Sequence, residues 1–223
     1  MNRYDSRQAL MTAMAGTVAG QLGKALDAQP FATLAVPGGT TPAPFLTALS
    51  TAPLDWSRVR VMLTDERFVP ESSERSNTRL LRGTLLQNAA AAATMIPFYM
   101  PGDTPEDVLG DLTAGIALAL PLDVCVLGMG ADMHTASIFP GADLLTEALA
   151  VDAPTLLPMR APGAPEPRLT LTAPVLSAAR NLHVLIQGED KAEALDRARS
   201  AATTAEAPIR IALDAGATVH WAA

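Results

Sequence analysis

The apolar positions of this chain form short continuous runs that alternate with segments of helical spacing. Apolar residues recur every four positions from Leu10 to Leu26, and Asp5 or Ser6 stands where a capping residue is needed. This pattern predicts an amphipathic first helix, and further helices begin near Pro42 and cover 77–87, 105–120 and 190–199. Strands are predicted over 31–36, 59–63, 95–98, 122–127, 169–172, 182–186 and 219–221, with a loop over 65–76 and no element over the Pro-rich segment 154–167.

Strands that are apolar nearly throughout are typical of a sheet covered on both faces. Helical segments of ten or more residues between strands imply right-handed crossovers and parallel pairing. We therefore predict an α/β protein: a single three-layer α/β/α domain over 1–223 with a mainly parallel, Rossmann-like sheet. Ligands bind such sheets beyond the carboxyl ends of the strands. The candidate site loops are those that begin at Pro37, Thr64, Gly128 and Gln187.

Composition and charge exclude several function classes. The 223 residues carry 16 Lys and Arg against 23 Asp and Glu, a formal net charge of -7, so we expect no nucleic-acid partner and no membrane surface. Any anionic ligand must be held by local groups. The single cysteine, Cys125, cannot form an internal disulfide, which favours a cytoplasmic location. The most apolar segment, 115–130, falls short of the about 20 residues that span a bilayer.

The first candidate loop runs from Pro37 to Pro42 between a strand and a helix. Gly38 and Gly39 let the backbone approach a ligand, and free N–H groups with the hydroxyls of Thr40 and Thr41 can hold an anion at a helix N-terminus. The loop lacks the Gly-Lys-Ser/Thr ending of a Walker motif. An ordinary strand-to-helix turn is the alternative.

Charged residues in two further loops are also candidates. Asp65 and Arg67 follow a strand, where the acid can accept from sugar hydroxyls and the guanidinium can bind an anion, with a surface ion pair as the alternative. Lys191 lies in the first turn of a predicted helix, where a cation opposes the helix dipole and a bound phosphate would explain it. Arg168 is a second candidate cation, with a surface arginine as the alternative.

The loop after Gly128 carries the candidate base. His134 follows Asp132 directly after a glycine turn and can be exposed yet oriented, although a structural role is the alternative. Met133 breaks the GxGxxG fingerprint, which disfavours a nicotinamide cofactor. No metal-ligand spacing is present, and His183 and His220 lie in predicted strands as packing or edge residues. Ser137 lacks a surrounding GxSxG, so we interpret it as a helix-start hydroxyl.

Four segments over about 31–199 resemble the 6-phosphogluconolactonase family in their order and spacing. They are GGTTP, DERFVP with SN shortly after, LGMGADMHTASIFPG and QGEDK. The resemblance implies hydrolysis of 6-phospho-D-glucono-1,5-lactone in the oxidative pentose phosphate pathway, without a metal or organic cofactor. The sequence does not determine the oligomeric state, and we expect a monomer or small homo-oligomer. Our hypothesis makes His134 the general base, Asp132 a residue that shapes its loop, and Asp65 and Arg67 the groups that orient the sugar and carbonyl. The expected phosphate-binding residues are Gly38, Gly39, Thr40, Thr41, Arg168 and Lys191.

The sequence departs from the family pattern at two positions. Met133 stands where the family usually has glycine, and at a positive φ it would cost on the order of 1 kcal/mol. Thr40 replaces the usual serine but keeps the hydroxyl. Asp132 and His134 are both present, so we expect the activity to be retained.

Three different functions stay open beside the lactonase. Aminosugar-phosphate deaminases are related and share the sheet, yet they follow the histidine with Ile-Ala-Phe-Asn-Glu where this chain has Thr-Ala-Ser-Ile-Phe-Pro. A noncatalytic sugar-phosphate sensor would bind 6-phosphogluconate without consuming the lactone. A dinucleotide dehydrogenase is the third, and the broken glycine fingerprint disfavours it.

Overall fold

A computed structural model describes residues 1–162 and 164–223 and shows a parallel seven-stranded sheet flanked by helices. The described strands are β1 (Asn2–Arg3), β2 (Ala32–Val36), β3 (Val59–Leu63), β4 (Asp65–Arg67), β5 (Thr94–Met95), β6 (Val124–Leu127), β7 (Leu156–Met159), β8 (Arg168–Leu171), β9 (Asn181–Gln187) and β10 (Thr218–Ala222). The strand order in the main sheet is β1-β10-β9-β6-β2-β3-β5, and every neighbouring pair is parallel. The predicted α/β class and parallel sheet are confirmed.

The helices pack against this sheet and against one another. They are α1 (Arg7–Ala28), α2 (Ala43–Leu49), α3 (Asn77–Thr84), α4 (Pro105–Ala117), α5 (Leu145–Leu149), α6 (Ala173–Ser177), α7 (Glu189–Ser200) and α8 (Arg210–Asp214). Helix α1 contacts β2, β6 and β10, while α7 and α8 contact β9. Ser6 caps α1, as predicted, because its side chain accepts from the N–H of Ala9. Among the described residues, none of the helices combines the length and apolar character that a bilayer crossing requires.

A second, antiparallel sheet was not predicted. It has the order β4-β8-β7, so the predicted loop over 65–76 contains a strand, and the Pro-rich segment 154–167 contains another. The predicted strand over 169–172 exists as β8, but it belongs to this sheet. Strand β4 consists of three charged residues, which give no apolar signal. Strand β7 includes Pro158, which a strand tolerates at a sheet edge because its missing N–H removes no ladder bond there.

The candidate loops meet at one edge of the main sheet, as predicted. Strands β3, β2, β6 and β9 are consecutive neighbours and all parallel, so their carboxyl ends lie side by side. Every residue of β2 and β6 is buried, including Cys125, which agrees with a sheet covered on both faces. The fold therefore places the four loops around one opening.

The buried carboxylate of Asp123 accepts hydrogen bonds from three residues at the opposite, amino-terminal edge of the sheet. Asp123 is 2% exposed, and its Oδ2 accepts from the backbone N–H of Thr33 and from Nε2 of Gln29, each at 2.8 Å. Its Oδ1 accepts from Arg180 at 2.9 Å. Strand β6 begins directly after this residue, at Val124, two residues later than predicted.

A chain of hydrogen bonds joins two buried histidines, His183 on β9 and His220 on β10. The Tyr4 hydroxyl lies 2.8 Å from Nδ1 of His220, Nε2 of His220 lies 3.1 Å from Nδ1 of His183, and Nε2 of His183 lies 2.8 Å from Oε1 of Gln21. With both rings neutral, every bond has one donor and one acceptor. The predicted packing role is confirmed, since both residues are at most 3% exposed.

This burial makes stability depend on pH. Desolvation lowers the pKa of His183, and desolvation, His183 and the N-terminal ammonium lower the pKa of His220 to about 4. The unfolded chain takes up these protons near pH ~6.5 and the folded chain only at lower pH, so the free energy of unfolding falls as pH drops from ~6.5 towards 4. Urea unfolding at about pH 7.5 and about pH 5 should show this loss, and His220→Gln should reduce it. An equal pH dependence in both proteins would contradict the assignment.

Candidate active site

A cavity of about 260 Å³ opens where the four loops meet. Eight of the ten predicted site residues line it: Gly38, Gly39, Thr41, Asp65, Arg67, His134, Arg168 and Lys191. Within the part of the chain that the structure describes, Thr40 and Asp132 are not among the lining residues. Three further residues of chemical interest line the cavity although we had assigned them no role: Asn77, Phe139 and Gln187.

The two glycines of the first loop are required for different reasons. Gly39 has φ of 88°, which favours glycine, whereas a Cβ on Gly38 would overlap the side-chain amide of Asn77. The side chain of Asn77 therefore packs directly against Gly38. Thr40 is exposed, and its carbonyl accepts from the N–H of Ala43 at the start of α2.

Asp65 lies at the start of β4 and is 7% exposed. Its Oδ2 accepts from the hydroxyl of Ser137 at 2.6 Å, and its Oδ1 accepts from the hydroxyl of Thr64 at 3.2 Å. Its backbone carbonyl accepts from Nδ2 of Asn77 at 3.0 Å. Donors from both near and distant parts of the sequence therefore hold this residue at the cavity wall.

Glu66 organises the second loop, and sequence reasoning missed it. The side chain is fully buried: Oε1 accepts from the N–H groups of Arg67 and Asn77, and Oε2 accepts from the N–H of Thr78 and the hydroxyl of Ser76, at 2.7–3.2 Å. Burial raises the pKa of Glu66, and these backbone hydrogen bonds oppose that rise. The carboxylate caps α3 from eleven residues upstream, so no local capping-box spacing reveals it.

Two arginines lie opposite each other on neighbouring strands of the small sheet, and neither forms an ion pair with a described acidic residue. Arg67 and Arg168 are register partners on β4 and β8, and both line the cavity. Among the described residues, Nε of each is buried without a hydrogen-bond partner. Burial lowers the pKa of Arg168, which is 9% exposed, while the charge of Asp65 acts in the opposite direction. Like charges opposed on an antiparallel pair repel each other, so an anion bound in the cavity would satisfy both.

Lys191 brings a third cation to the cavity from the other side. It is half-buried in the first turn of α7, which follows Gly188 at φ of 88°. Over residues 1–162 and 164–223, its ammonium has neither a hydrogen bond nor an ion pair. Asp65 is the sole acid among the described residues of the cavity wall. The opening is therefore cationic although the chain as a whole is acidic.

His134 is oriented by Asp132. Its Nδ1 lies 2.5 Å from Oδ1 of Asp132, an arrangement that places the ring proton on Nδ1 and leaves Nε2 as the basic nitrogen. The ring packs on Phe139, with centroids 4.2 Å apart, and over Gly130, where a Cβ would overlap Nδ1. Burial alone would raise the pKa of Asp132. The charge and hydrogen bonds of His134 outweigh this effect, so the pKa of Asp132 lies below its ordinary value.

The loop that carries His134 is strained. Met133 has φ of 67°, which confirms the positive φ considered from the sequence, and Ala136 has φ of 49°. The Met133 carbonyl accepts from the N–H of Ile209 just before α8, and the Met133 N–H donates to the carbonyl of Gly130.

The described residues contain no group of three or more His, Cys, Asp or Glu that could hold a metal ion.

Comparisons with known proteins agree with this architecture. The sequence profile of one family, described as glucosamine-6-phosphate isomerases/6-phosphogluconolactonase, matches residues 5–221. A 6-phosphogluconolactonase from Mesorhizobium japonicum is 47% identical, over 99% of this chain and 94% of that protein. One from Rhizobium meliloti is 44% identical, over 100% of this chain and 98% of that protein.

A solved structure of similar shape also covers the whole chain. The crystal structure of a 6-phosphogluconolactonase from Shewanella baltica superposes with a TM-score of 0.94 at 34% identity, over 100% of this chain and 97% of that one. Both the sequence and the fold thus match over essentially the full length.

The strain at Met133 gives a stability prediction. A left-handed conformation costs an L-residue about 1–2 kcal/mol, and glycine avoids that cost at some loss of chain entropy. Met133→Ala loses side-chain packing and keeps the strain, whereas Met133→Gly loses the same packing and relieves it. We therefore expect Met133→Gly to be about 1 kcal/mol more stable than Met133→Ala in urea unfolding. Equal stabilities would show that the loop is not strained there.

Proposed function

Because this chain belongs to the glucosamine-6-phosphate isomerase and 6-phosphogluconolactonase family, we propose that it is a hydrolase that converts 6-phospho-D-glucono-1,5-lactone to 6-phospho-D-gluconate in the pentose phosphate pathway. One observation carries the proposal: a single cavity holds a histidine oriented by an acid and, around it, three cations. A phosphorylated lactone needs a base for water and a binding site for a dianion, and this cavity offers both.

In the proposed mechanism, His134 acts as general base. Its Nε2 takes a proton from water as the water oxygen attacks the lactone carbonyl carbon, and the carbonyl electrons form an oxyanion. The oxyanion then collapses, the ring C–O bond breaks, and the proton on Nε2 passes to the departing ring oxygen. Asp132 holds the ring in the tautomer with the proton on Nδ1. Such proton transfer typically contributes about 10²–10⁴-fold to the rate.

Asp65 and Arg67 orient the sugar and its carbonyl in this proposal. Asp65 accepts from a sugar hydroxyl, and the guanidinium of Arg67 lies where it can stabilise developing negative charge. Both side chains come from β4, whose position Glu66 determines through its bonds to α3. The hydrogen bonds of Glu66 therefore support the orientation of both groups.

The phosphate is assigned to the cations and the first loop. Arg168 and Lys191 line the cavity from β8 and α7, and Gly38, Gly39 and Thr41 line it from the first loop. The proposed phosphate-binding set is Gly38, Gly39, Thr40, Thr41, Arg168 and Lys191. Thr40 belongs to this set on the sequence motif alone, because its side chain is exposed away from the cavity wall.

The rest of the proposal follows the sequence predictions. Water is the nucleophile and the lactone is an activated ester. As the family resemblance implies, the proposed mechanism uses no metal and no organic cofactor. We propose one lactonase domain over 1–223, a cytoplasmic location, a monomer or small homo-oligomer, and no nucleic-acid partner. Activity assays distinguish this function from an aminosugar-phosphate deaminase and from a noncatalytic sugar-phosphate sensor.

The first test asks whether His134 is the general base. His134→Ala should lower kcat on freshly generated lactone by about 10²–10⁴-fold relative to wild type, after subtraction of spontaneous hydrolysis, because the variant lacks the proposed general base. Full turnover by a folded His134→Ala protein would refute the assignment. A wild-type rate equal to the spontaneous rate would instead favour the sensor, with 6-phosphogluconate and glucosamine 6-phosphate as the ligands to assay next.

The second test concerns phosphate binding. Lys191→Ala should raise KM for the phosphorylated lactone by roughly 10- to 100-fold, because a charge-assisted hydrogen bond is lost, with a smaller effect on kcat. Lys24 on α1 is the only other lysine in the chain and is exposed, so Lys24→Ala is a matched control. The assignment fails if both variants keep the wild-type KM. These comparisons hold when substrate release is fast relative to chemistry.

A further inference from the structure

Ser137 lies inside the protein, between the loop that carries His134 and the small antiparallel sheet. Its side chain is fully buried, and its hydroxyl donates to Oδ2 of Asp65 at 2.6 Å. Its backbone N–H donates to the hydroxyl oxygen of Thr170 at 3.1 Å, and Thr170 is the residue directly opposite Asp65 on β8. Ser137 therefore bonds to both members of one cross-strand pair.

The backbone is held in an unfavourable conformation next to Ser137. Ala136 has φ of 49° and lines the cavity, while Ser137, one residue later, turns into the interior. Such strain persists only where surrounding contacts outweigh it. The two hydrogen bonds of Ser137 are contacts of this kind, and both lead to the β4–β8 pair.

The Asp65 carboxylate can still accept hydrogen bonds from a ligand while it accepts one from Ser137. A carboxylate offers about four lone-pair sites, and the described side-chain donors, Ser137 and Thr64, use two of them. The residue lines the cavity although it is 7% exposed, so the remaining sites are available to a bound molecule. An ionised carboxylate only accepts hydrogen bonds, and the complementary group on a sugar is a hydroxyl.

We propose that Ser137 is a positioning residue: it fixes the Asp65 carboxylate so that the carboxylate accepts from a hydroxyl group of the bound sugar, in the lactone and in its open-chain product alike. The inference rests on the proposed lactonase function. Ser137 acts only through Asp65, because its own hydroxyl proton is used in that bond and the residue does not line the cavity. The helix-start role that we inferred from the sequence is thus replaced by a hydrogen bond between the loop of His134 and strand β4.

A double-mutant cycle tests this role. Ser137→Ala should lower kcat/KM by about tenfold, the equivalent of one lost hydrogen bond to a charged group. If Ser137 works through Asp65, the variant with both Asp65→Asn and Ser137→Ala should be no less active than Asp65→Asn alone. Ser137→Thr keeps the hydroxyl and should retain most of the activity. Effects that multiply in the double variant, or a wild-type kcat/KM in Ser137→Ala, would overturn the proposal.

Ser50 provides the matched control. It is also fully buried, and its hydroxyl donates to the carbonyl of Thr47 at 2.7 Å, away from the cavity wall. Ser50→Ala should therefore lower stability in urea without a change in kcat/KM. Where Ser137→Ala does not fold, Ser137→Cys replaces the hydroxyl by a weak donor of similar shape and should show the same coupling to Asp65→Asn.

A binding measurement separates this proposal from the proposed function. Titration calorimetry measures the affinity of the wild type, the two single variants and the double variant for 6-phosphogluconate, and this measurement needs no turnover. Wild-type protein that binds 6-phosphogluconate but does not hydrolyse the lactone would refute the lactonase function, and the cycle would still report on Ser137. Coupling between Ser137 and Asp65 in the affinity supports the positioning role, and independent effects refute it.

Discussion

Two adjacent carboxylates, Asp65 and Glu66, are buried on a strand of three residues, and the site depends on the donors that they require. Burying a charge is costly unless it is hydrogen-bonded. Successive side chains of a strand point to opposite faces, so Glu66 takes its donors from the start of α3 while Asp65 takes one from Ser137 in the loop of the candidate base. Satisfying both acids therefore fixes three separate segments relative to one another.

The same small sheet explains how an acidic protein forms a cationic cavity. Antiparallel pairing sets Arg67 opposite Arg168, and the long connection through β9 returns Lys191 to the other side of the opening. The two guanidiniums repel each other and each keeps a buried Nε without a partner among the described residues. The protein thus tolerates the repulsion between two buried guanidinium groups at the place where a bound anion can offset it.

The loop that carries His134 shows the same balance between stability and geometry. Met133 and Ala136 both adopt left-handed conformations on either side of the pair formed by His134 and Thr135. Bonds to Ile209 at one end and to Asp65 and Thr170 at the other hold this conformation. Glycine at position 130 is needed because the imidazole lies directly over it. These bonds offset the strain of the loop and keep the imidazole at the cavity wall.

Local sequence patterns were sufficient to predict the parallel sheet, the first helix with Asp5 or Ser6 as its cap, and the four loops, because hydrophobic periodicity and turn residues act over a few positions. They also identified eight residues that the fold brings to one cavity. The second sheet emerged only from tertiary contacts, since β4 has no apolar pattern and β7 contains a proline. The same holds for the roles of Glu66, Asn77 and Ser137, whose partners lie 11, 12 and 72 residues away. Buried polar groups need hydrogen-bond partners, and the fold can supply these from any part of the chain. A local sequence pattern cannot predict a partner that lies many residues away.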